Sequence, residues 1–568
     1  MSTLDWVVLV GTLAFIAIYG AYKTRGARDT EAYFRGDQTL RWPTIGLSIM
    51  ATQASAITFL SVPGQAYEDG MRFLQFYFGL PLAMIVISAF FVPQFHRLKV
   101  YTAYEVLEHR FDARVRYLGA VLFLMQRGLA AGITIYAPAI ILSAILGWSL
   151  QVTIWAIGVV VIGYTVVGGT RAVSQTQQQQ MIVMLAGMAV VAVLVVLRLP
   201  DEVSLGSAVK LAGALDRMDV VRFDVDPESR YTIWSGLTGG FFLALAYFGT
   251  DQSQVQRYLA GRSVTESRLG LLFNGLFKIP MQFVILFIGI LIFVFHLFTA
   301  PPMFFNAPAL AAAAKTEYAD ELAGLQARYD TAFATQRRAA ETYVASLQSE
   351  DDTAKDGDAA KAALRAAAGE VAGLRDEAKE LVAAAVPDAE TRDADYIFLS
   401  FVLAQVPSGI VGLLIAVILC AAMSSSSGEL AALAATSTMD LYKRLVDRSV
   451  SPQRDLAVSK AFTVLWGAVA VGFASFASLL DNLIEAVNIV GSIFYGTVLG
   501  LFVVAFFFRR VTATPVLVGA LAGQSLVIAL FFASDLGFLW FNAIGCGVVV
   551  VVSLLVELVR PGPRASRA

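Results

Sequence analysis

Long apolar runs separated by short polar connections occupy most of the chain. Each run is about 20 residues long, which is the length that an α-helix needs to cross the hydrocarbon core of a bilayer. The pattern predicts 13 membrane spans, near residues 5–22, 43–67, 72–95, 118–146, 151–167, 177–199, 232–250, 267–298, 396–423, 457–479, 482–508, 512–533 and 537–559. We therefore expect an all-α, polytopic membrane protein.

Basic residues are concentrated in alternate connections. They cluster at residues 23–41, 97–116, 443–454 and 509–510, and again near the C-terminus. Because Lys and Arg accumulate on the cytoplasmic side of a membrane, the alternation predicts an extracytoplasmic N-terminus and a cytoplasmic C-terminus. We expect an integral protein of the cell membrane, that is, a plasma or inner membrane.

The longest connection, residues 299–395, holds the one large module outside the membrane. Its stretches rich in Ala, Glu, Lys and Arg, about 309–349 and 358–385, predict an extracytoplasmic helical hairpin over 309–393. This composition favours a solvated insertion over a surface for an unknown partner. Residues 200–231 form a shorter loop on the same side.

Composition supports this picture and excludes several functions. Of the 568 residues, 57% are hydrophobic and 15% are charged, and mean hydropathy is +0.67. The formal net charge is -2, and nothing in the sequence indicates nucleic-acid binding. Cys420 and Cys546 lie in apolar runs and predict no disulfide framework. The three histidines are scattered, which argues against a metal cluster or a Ser-His-Asp site. The first apolar run has no basic start, so it is predicted to be a retained span.

Two of the predicted spans contain residues that interrupt helices. Ala51–Phe59 mixes small and hydroxyl residues at mid-span and precedes Pro63 and Gly64, while Ser235–Gly240 mixes glycines and hydroxyls. These segments lie in the second and seventh spans, so they cross the membrane in opposite directions. Paired interruptions of this kind indicate a transport site near the membrane midplane. For either segment alone, close packing through small residues is the alternative.

Four consecutive serines, Ser424–Ser427, follow the apolar run that ends at Met423. Hydroxyl oxygens at this depth can bind a hard cation such as sodium, which prefers oxygen ligands. Alternatively, the hydroxyls bond to their own helix or let two helices approach closely. The choice depends on partners elsewhere in the chain.

Several motifs together resemble the sodium:solute symporter family. They are Ala51–Phe59, Tyr164–Val173 with Gln180, Gln252–Leu259, and Ala421–Ser427 continuing to Met439–Lys443; Pro93–Phe111 is similar to the third connection of the vitamin, monocarboxylate and iodide branch. The resemblance covers essentially every span and omits only residues 309–393. Each motif alone is weak, whereas their combination is specific.

The resemblance implies a five-plus-five inverted-repeat fold like that of a bacterial leucine transporter, with one leading and two trailing spans. The implied divisions are residues 1–42 (leading span and cytoplasmic loop), 43–199 (repeat one), 200–231 (extracytoplasmic loop), 232–508 (repeat two, interrupted by the 309–393 hairpin) and 509–568 (trailing spans and tail).

The resemblance also implies a sodium ion held between the two repeats. Carried over by position, its ligands are the backbone carbonyls of Ala51, Ala54 and Ala421 and the hydroxyls of Ser424 and Ser425. The residue types agree, because an unwound helix frees carbonyls and neutral oxygens make a weak, exchangeable site.

Some members of the family hold a second sodium ion with a further serine and an aspartate. In this chain Ser427 is present, but Gln177 stands where the aspartate is expected. Since the carboxylate is the strongest ligand of that site, we expect one coupled sodium ion.

The solute contacts implied by the resemblance are Gln53, Ser55, Thr58, Gln75 and Arg127, with Phe78 and Tyr247 more loosely placed. Arg127 lies about ten residues inside its span, and a guanidinium can bind a carboxylate through two hydrogen bonds. Together with Ile57, at a place where sugar transporters can carry an acidic residue, Arg127 favours an organic anion such as a sialic acid, a monocarboxylate or a vitamin-like acid. Alternatively, Arg127 snorkels to the inner surface or pairs with a protein carboxylate.

Three further charged residues lie in or beside the predicted spans. Lys278 either lines the cavity or snorkels to the cytoplasm. Glu429 and Asp440 are expected at the cytoplasmic margin, as gate or helix-end charges.

The predicted function is secondary active symport: sodium and a small organic solute bind outside and are released inside by alternating access. A sodium-coupled sugar or polyol symporter is the alternative within the family. A sensor would need a signalling domain and a channel would need repeated polar rings, neither of which the sequence indicates. A hydrolase would need a base near Ser424–Ser427, and no histidine lies near them in sequence. We therefore do not expect an enzyme.

Overall fold

A computed structural model describes residues 1–23, 38–348, 354–387, 393–446, 452–476 and 483–559. Within these ranges every regular element is a helix, and the one β-type contact is an isolated bridge between Leu40 and Gly261. The α-helices are α1 (Thr3–Lys23), α2 (Trp42–Gln53), α3 (Ala56–Asp69), α4 (Leu80–Val86), α5 (Val92–Leu98), α6 (Glu105–Arg110), α7 (Ala113–Leu146), α8 (Leu150–Leu197), α9 (Leu205–Ala214), α10 (Gly240–Thr250), α11 (Gln252–Leu259), α12 (Val264–Phe298), α13 (Ala307–Ala313), α14 (Ala319–Gln348), α15 (Ala354–Ala385), α16 (Ala394–Gln405), α17 (Ile410–Thr436), α18 (Lys443–Leu445), α19 (Pro452–Ala474), α20 (Leu483–Phe507), α21 (Ala513–Ala533) and α22 (Leu539–Val559).

Nine helical stretches in the described ranges are long and apolar enough to cross a membrane, and three shorter apolar helices accompany them. The predicted all-α membrane fold is therefore confirmed. The count of 13 spans stays a prediction.

The first interrupted span is broken where the sequence predicts. Helix α2 ends at Gln53, Ala54 adopts φ −80° and ψ 76°, and Ser55 is extended before α3 begins. The Ser55 N–H donates to the carbonyl of Gln53 and not to that of Ala51. The break therefore frees the Ala51 carbonyl from the bond that a continuous helix would give it.

The second interruption lies further along the chain than predicted. Ser235–Gly239 is a π-helical turn that continues directly into α10, and the chain leaves the helical conformation only at Asp251, where ψ is 120°. Glycine at 236 serves close packing, because a Cβ there would lie 2.0 Å from the carbonyl oxygen of Gln75. The break itself is stabilised by the Asp251 carboxylate, which accepts a 2.8 Å bond from the Ser253 N–H and so caps α11.

The serines lie in the middle of a span and not at its end. The predicted span 396–423 is two helices, α16 and α17, separated at Gly409, where φ is +89°. Helical structure then continues from Ile410 to Leu445. The residues after the serines are mostly Ala and Leu, which favour helix. Glu429 and Asp440 can be buried among them because each carboxylate is paired with an arginine.

Helix α8 covers two of the predicted spans, 151–167 and 177–199. Its apolar parts are Leu150–Val166 and Thr176–Leu197. The predicted connection between them is helical in backbone, and the side chains of residues 167–172 and 175 are not described.

The predicted hairpin is present as α14 and α15, and it packs onto the membrane body. Its own core includes Leu322, Leu325, Tyr329, Val371 and Leu374. Its other end, with Ala340, Tyr343 and Leu364, joins the main core. This differs from a solvated insertion, because apolar residues three and four positions apart give both helices a buried face.

Candidate sodium and solute site

The helix break of α2 lies directly against the serines of α17. Ser424 Oγ is 3.1 Å from the carbonyl oxygen of Ala51, and Ser425 Oγ is 3.4 Å from the same oxygen and 3.1 Å from that of Thr52. Three of the predicted ligand residues, Ala51, Ser424 and Ser425, are therefore brought together. The backbone carbonyl of Thr52 is a fourth oxygen donor in this cluster, which the resemblance to the family does not imply.

The remaining predicted ligand residues are fully buried on the same two elements. Ala54 lies in the break, and Ala421 lies on α17 one turn before the serine contacts. All the contacting oxygens are carbonyls or hydroxyls without charge. Such a donor set suits a hard, monovalent cation that must be released again, and it fits sodium.

The predicted second-site residues bond within the protein. The Gln177 amide donates to the carbonyl of Ser424 at 2.9 Å and to Thr52 Oγ1 at 3.1 Å, and its oxygen accepts from Ser48 Oγ at 2.6 Å. Ser427 Oγ donates to the same Ser424 carbonyl. Gln177 therefore acts as a neutral crosslink between three helices.

A buried guanidinium lies beside this crosslink. Arg257 on α11 is fully buried, and its Nη1 donates to Ser174 Oγ at 3.1 Å. Its Nη2 and the Gln177 Nε2 lie 2.8 Å and 3.4 Å from the point that a Cβ on Gly428 would occupy. Within the described ranges no carboxylate is within ion-pair distance of Arg257, so its charge opposes an additional cation here.

A cavity of about 80 Å³ adjoins the helix break. Four of the predicted solute residues, Gln53, Ser55, Thr58 and Arg127, line it. The other lining residues are Thr52, Ile57, Phe76, Tyr77, Gln126, Thr134, Leu243, Tyr247, Glu429, Ile484, Val487, Asn488 and Tyr495. The cavity and the serine cluster thus share the α2 break.

The structure does not place Gln75 in this cavity. Its amide donates to the carbonyl of Tyr231 at 3.1 Å, and its oxygen accepts from the Arg222 N–H at 2.9 Å. The reason is local: Gly70–Tyr77 is a 3₁₀ helix, which turns Gln75 towards Arg222 and Tyr231 while Phe76 and Tyr77 face the cavity.

Arg127 is held by two carboxylates and a tyrosine. Its Nη2 bonds to Asp251 and, at 2.6 Å, to Tyr495 OH, and its Nη1 bonds to Glu429 at 3.0 Å. Nε has no partner. Of the two alternatives considered for this residue, pairing with protein carboxylates matches the geometry, and snorkelling does not.

The sequence reasoning missed the acidic partners of Arg127. Asp251 follows an apolar helix, and Glu429 lies five residues beyond Ser424. The sequence predicts a gate or helix-end charge for Glu429 and assigns no role to Asp251, but both side chains are almost fully buried. An arginine in an apolar span signals that a carboxylate must lie close, yet it does not say which one.

Lys278 is fully buried, so its side chain does not reach the surface of the protein. Its Nζ lies 5.5 Å from the ring centroid of Tyr77, a residue that lines the cavity. Asp440 instead belongs to a separate cluster, where it bonds to Arg116 and Thr102 at 2.7 Å each.

The interrupted helices, the cluster of neutral oxygens and the adjoining polar cavity define a cation-coupled membrane transporter. The sequence profile of the sodium:solute symporter family matches residues 33–323 and 373–523, and the chain belongs to this family. The predicted family is thereby confirmed.

Individual relatives agree with this assignment. The chain is 37% identical to the human sodium/iodide cotransporter over 275 residues, which cover 48% of this chain and 42% of that protein. It is 28% identical to the human sodium-coupled monocarboxylate transporter 1 over 529 residues, which cover 92% of this chain and 72% of the relative. The match to the iodide cotransporter therefore covers less than half of that protein's length.

A solved structure confirms the fold. A Na+-coupled sialic acid symporter in a substrate-bound outward-open state superposes with a TM-score of 0.75, covering 98% of each chain at 23% identity. At this identity the likeness bears on the fold alone.

Proposed function

We propose that the protein is a sodium-coupled symporter that imports a small organic solute by alternating access. The observation that carries the proposal is the contact of the Ser424 and Ser425 hydroxyls with the Ala51 and Thr52 carbonyls at a helix break. The same break lines the solute cavity. Sodium bound there would stabilise one arrangement of the two helices, which couples the ion to the solute.

An organic anion is the solute class that the relatives favour, since a monocarboxylate transporter is among them and the iodide cotransporter is also named for an anion. In the cavity, the Nε–H of Arg127 is a buried donor without a partner and could bind a carboxylate oxygen. The proposed solute residues are Gln53, Ser55, Thr58 and Arg127. Gln75 instead holds the loop that contains Arg222 and Tyr231 through hydrogen bonds.

A neutral sugar or polyol is the second candidate, and the charges around Arg127 favour it. Asp251 and Glu429 together offset the guanidinium charge, so an incoming anion gains less from it. Within the described part of the chain, Gln53, Gln126 and Glu429 each keep a buried oxygen without a hydrogen-bond partner, and such acceptors suit hydroxyl donors.

The wider organisation is proposed on the same basis. The N-terminus lies outside and the C-terminus in the cytoplasm of the cell membrane, with residues 43–199 and 232–508 as the two repeats. A single sodium ion is coupled, because Gln177 and Arg257 occupy the region of a second one.

Uptake by proteoliposomes tests the proposal. Uptake should require an inward sodium gradient, and Ser425→Ala should raise the half-saturating sodium concentration. Ser426→Ala is the matched control, because its buried hydroxyl has no partner in the structure. Uptake that is unchanged when choline replaces sodium would contradict the coupling.

The solute class is tested by thermal-shift assays of the purified protein. Organic anions should raise its Tm in sodium chloride more than sugars or polyols of similar size. Stabilisation by neutral sugars alone would select the second candidate.

A further inference from the structure

The hairpin is joined to the transport helices by charged residues of α15. Arg375 pairs with the buried Asp393, just before α16, at 3.0 Å. One turn further along α15, Lys379 Nζ lies 3.6 Å from Glu68 and 3.7 Å from Asp393. These contacts join the hairpin, whose residues 324–372 the family profile does not match, to the end of α3.

The end of α3 is enclosed on several sides at this point. The Arg375 guanidinium lies 5.9 Å from the ring centroid of Tyr67, which also packs edge-on against Phe293 at 5.3 Å. A Cβ on Gly64 would lie 1.9 Å from the carbonyl oxygen of Ala394, so α3 touches α16 through backbone. Helix α3 therefore cannot tilt without separating from the hairpin or from α16.

The same helix carries residues of the solute cavity. Ile57 and Thr58 at the start of α3 line the cavity, and so do Phe76 and Tyr77 at the end of the 3₁₀ segment that follows α3. Because α3 begins at the break at Ala54 and Ser55, it can rotate as a unit about that point. A contact at Glu68 is thus transmitted to the cavity by one short helix.

We propose that Lys379 and Arg375 are positioning residues that hold α3 over the solute cavity, so that the hairpin sets how readily the cavity opens outward. The proposal rests on the function proposed above. In this scheme the Lys379–Glu68 pair forms when the cavity is enclosed and breaks when α3 swings away. The pair is partly exposed, with Lys379 at 26% and Glu68 at 33%, so its contribution is small enough to be reversible in each cycle.

Thiol labelling from the extracytoplasmic side tests the proposal without relying on uptake. A cysteine at Val487, which lines the cavity from α20, reports on access in sodium-free buffer. Lys379→Met in this background should increase the labelling rate about twofold to fivefold, as expected for losing a partly exposed ion pair. Glu68→Gln should give a similar increase, and the double variant should not exceed the larger single effect.

Arg328→Met is the matched control, because Arg328 pairs with Glu377 at 2.8 Å within the hairpin. It should leave the labelling rate unchanged. Equal labelling in the Lys379→Met and Arg328→Met proteins would overturn the proposal, as would additive effects of Lys379→Met and Glu68→Gln. A failure of sodium coupling would instead appear in uptake and leave these labelling differences intact.

Discussion

The side-chain amide of Gln177 donates a 2.9 Å hydrogen bond to the backbone carbonyl of Ser424, next to the hydroxyls that face the α2 break. A neutral donor thus occupies an oxygen that a second cation would need. The guanidinium of Arg257 lies beside it without a carboxylate partner in the described part of the chain. Both features support the proposal that one sodium ion binds in this region.

We predict that the initial rate of uptake depends hyperbolically on sodium concentration. One bound ion gives no cooperativity between sodium sites. The measurement is proteoliposome uptake at saturating solute, with choline keeping the ionic strength constant. A sigmoidal sodium dependence would show that a second ion binds despite Gln177 and Arg257.

Replacing Arg127 by Met should destabilise the protein by about 3–5 kcal/mol, because the substitution leaves Asp251 and Glu429 buried without their cation. Thermal unfolding in detergent, followed for each purified variant, measures the change. Arg328→Met removes an exposed ion pair and should change stability by less than about 1 kcal/mol. Equal Tm values for the two variants would show that the Arg127 network is not structurally important.

Neutralising Glu429 should favour anionic solutes. Glu429→Gln removes a negative charge from the cavity wall, so the half-saturating concentration for an organic anion should fall severalfold while that for sodium stays similar. Competition between an anion and a neutral polyol measures the selectivity. Glu557→Gln is the control, since Glu557 bonds to Thr512 and does not line the cavity. A higher half-saturating concentration for the anion in Glu429→Gln would contradict the proposal that Glu429 disfavours anionic solutes.

Gly236→Ala should destabilise the protein by about 1–3 kcal/mol, because the new Cβ would meet the Gln75 carbonyl at 2.0 Å. Gly163→Ala serves as the comparison, since nothing lies within 4 Å of its Cβ position and alanine favours helix. Thermal unfolding of the two variants should differ clearly. An unchanged Tm in Gly236→Ala would show that the close contact between residue 236 and the Gln75 carbonyl does not limit stability.

Local composition was sufficient to predict some parts of the site. The break at Ala54 and Ser55 follows from small and hydroxyl residues in an apolar span, and Gln53, Ser55 and Thr58 line the cavity as neighbours of that break. Such features depend on a few consecutive residues. The contact of the serines with the broken helix is implied only by the resemblance to the family, and the structure places them against α2.

Other parts depend on contacts that are distant in sequence. Glu429 bonds to Arg127 across 302 positions, and no local pattern separates it from a helix-end charge. The break at Asp251 depends on a capping bond, whereas the glycines at Ser235–Gly240, which resembled a break, serve backbone packing. Gln75 turns away from the cavity because its segment is a 3₁₀ helix, which alters the residues that share a face.

Direct sodium binding to the purified protein tests the central claim most closely. The account predicts saturable binding of radiolabelled sodium to the wild type and to Ser426→Ala, and strongly weakened binding to Ser424→Ala and Ser425→Ala, whose hydroxyls contact the Ala51 carbonyl. Equal sodium affinity in all four proteins would contradict it.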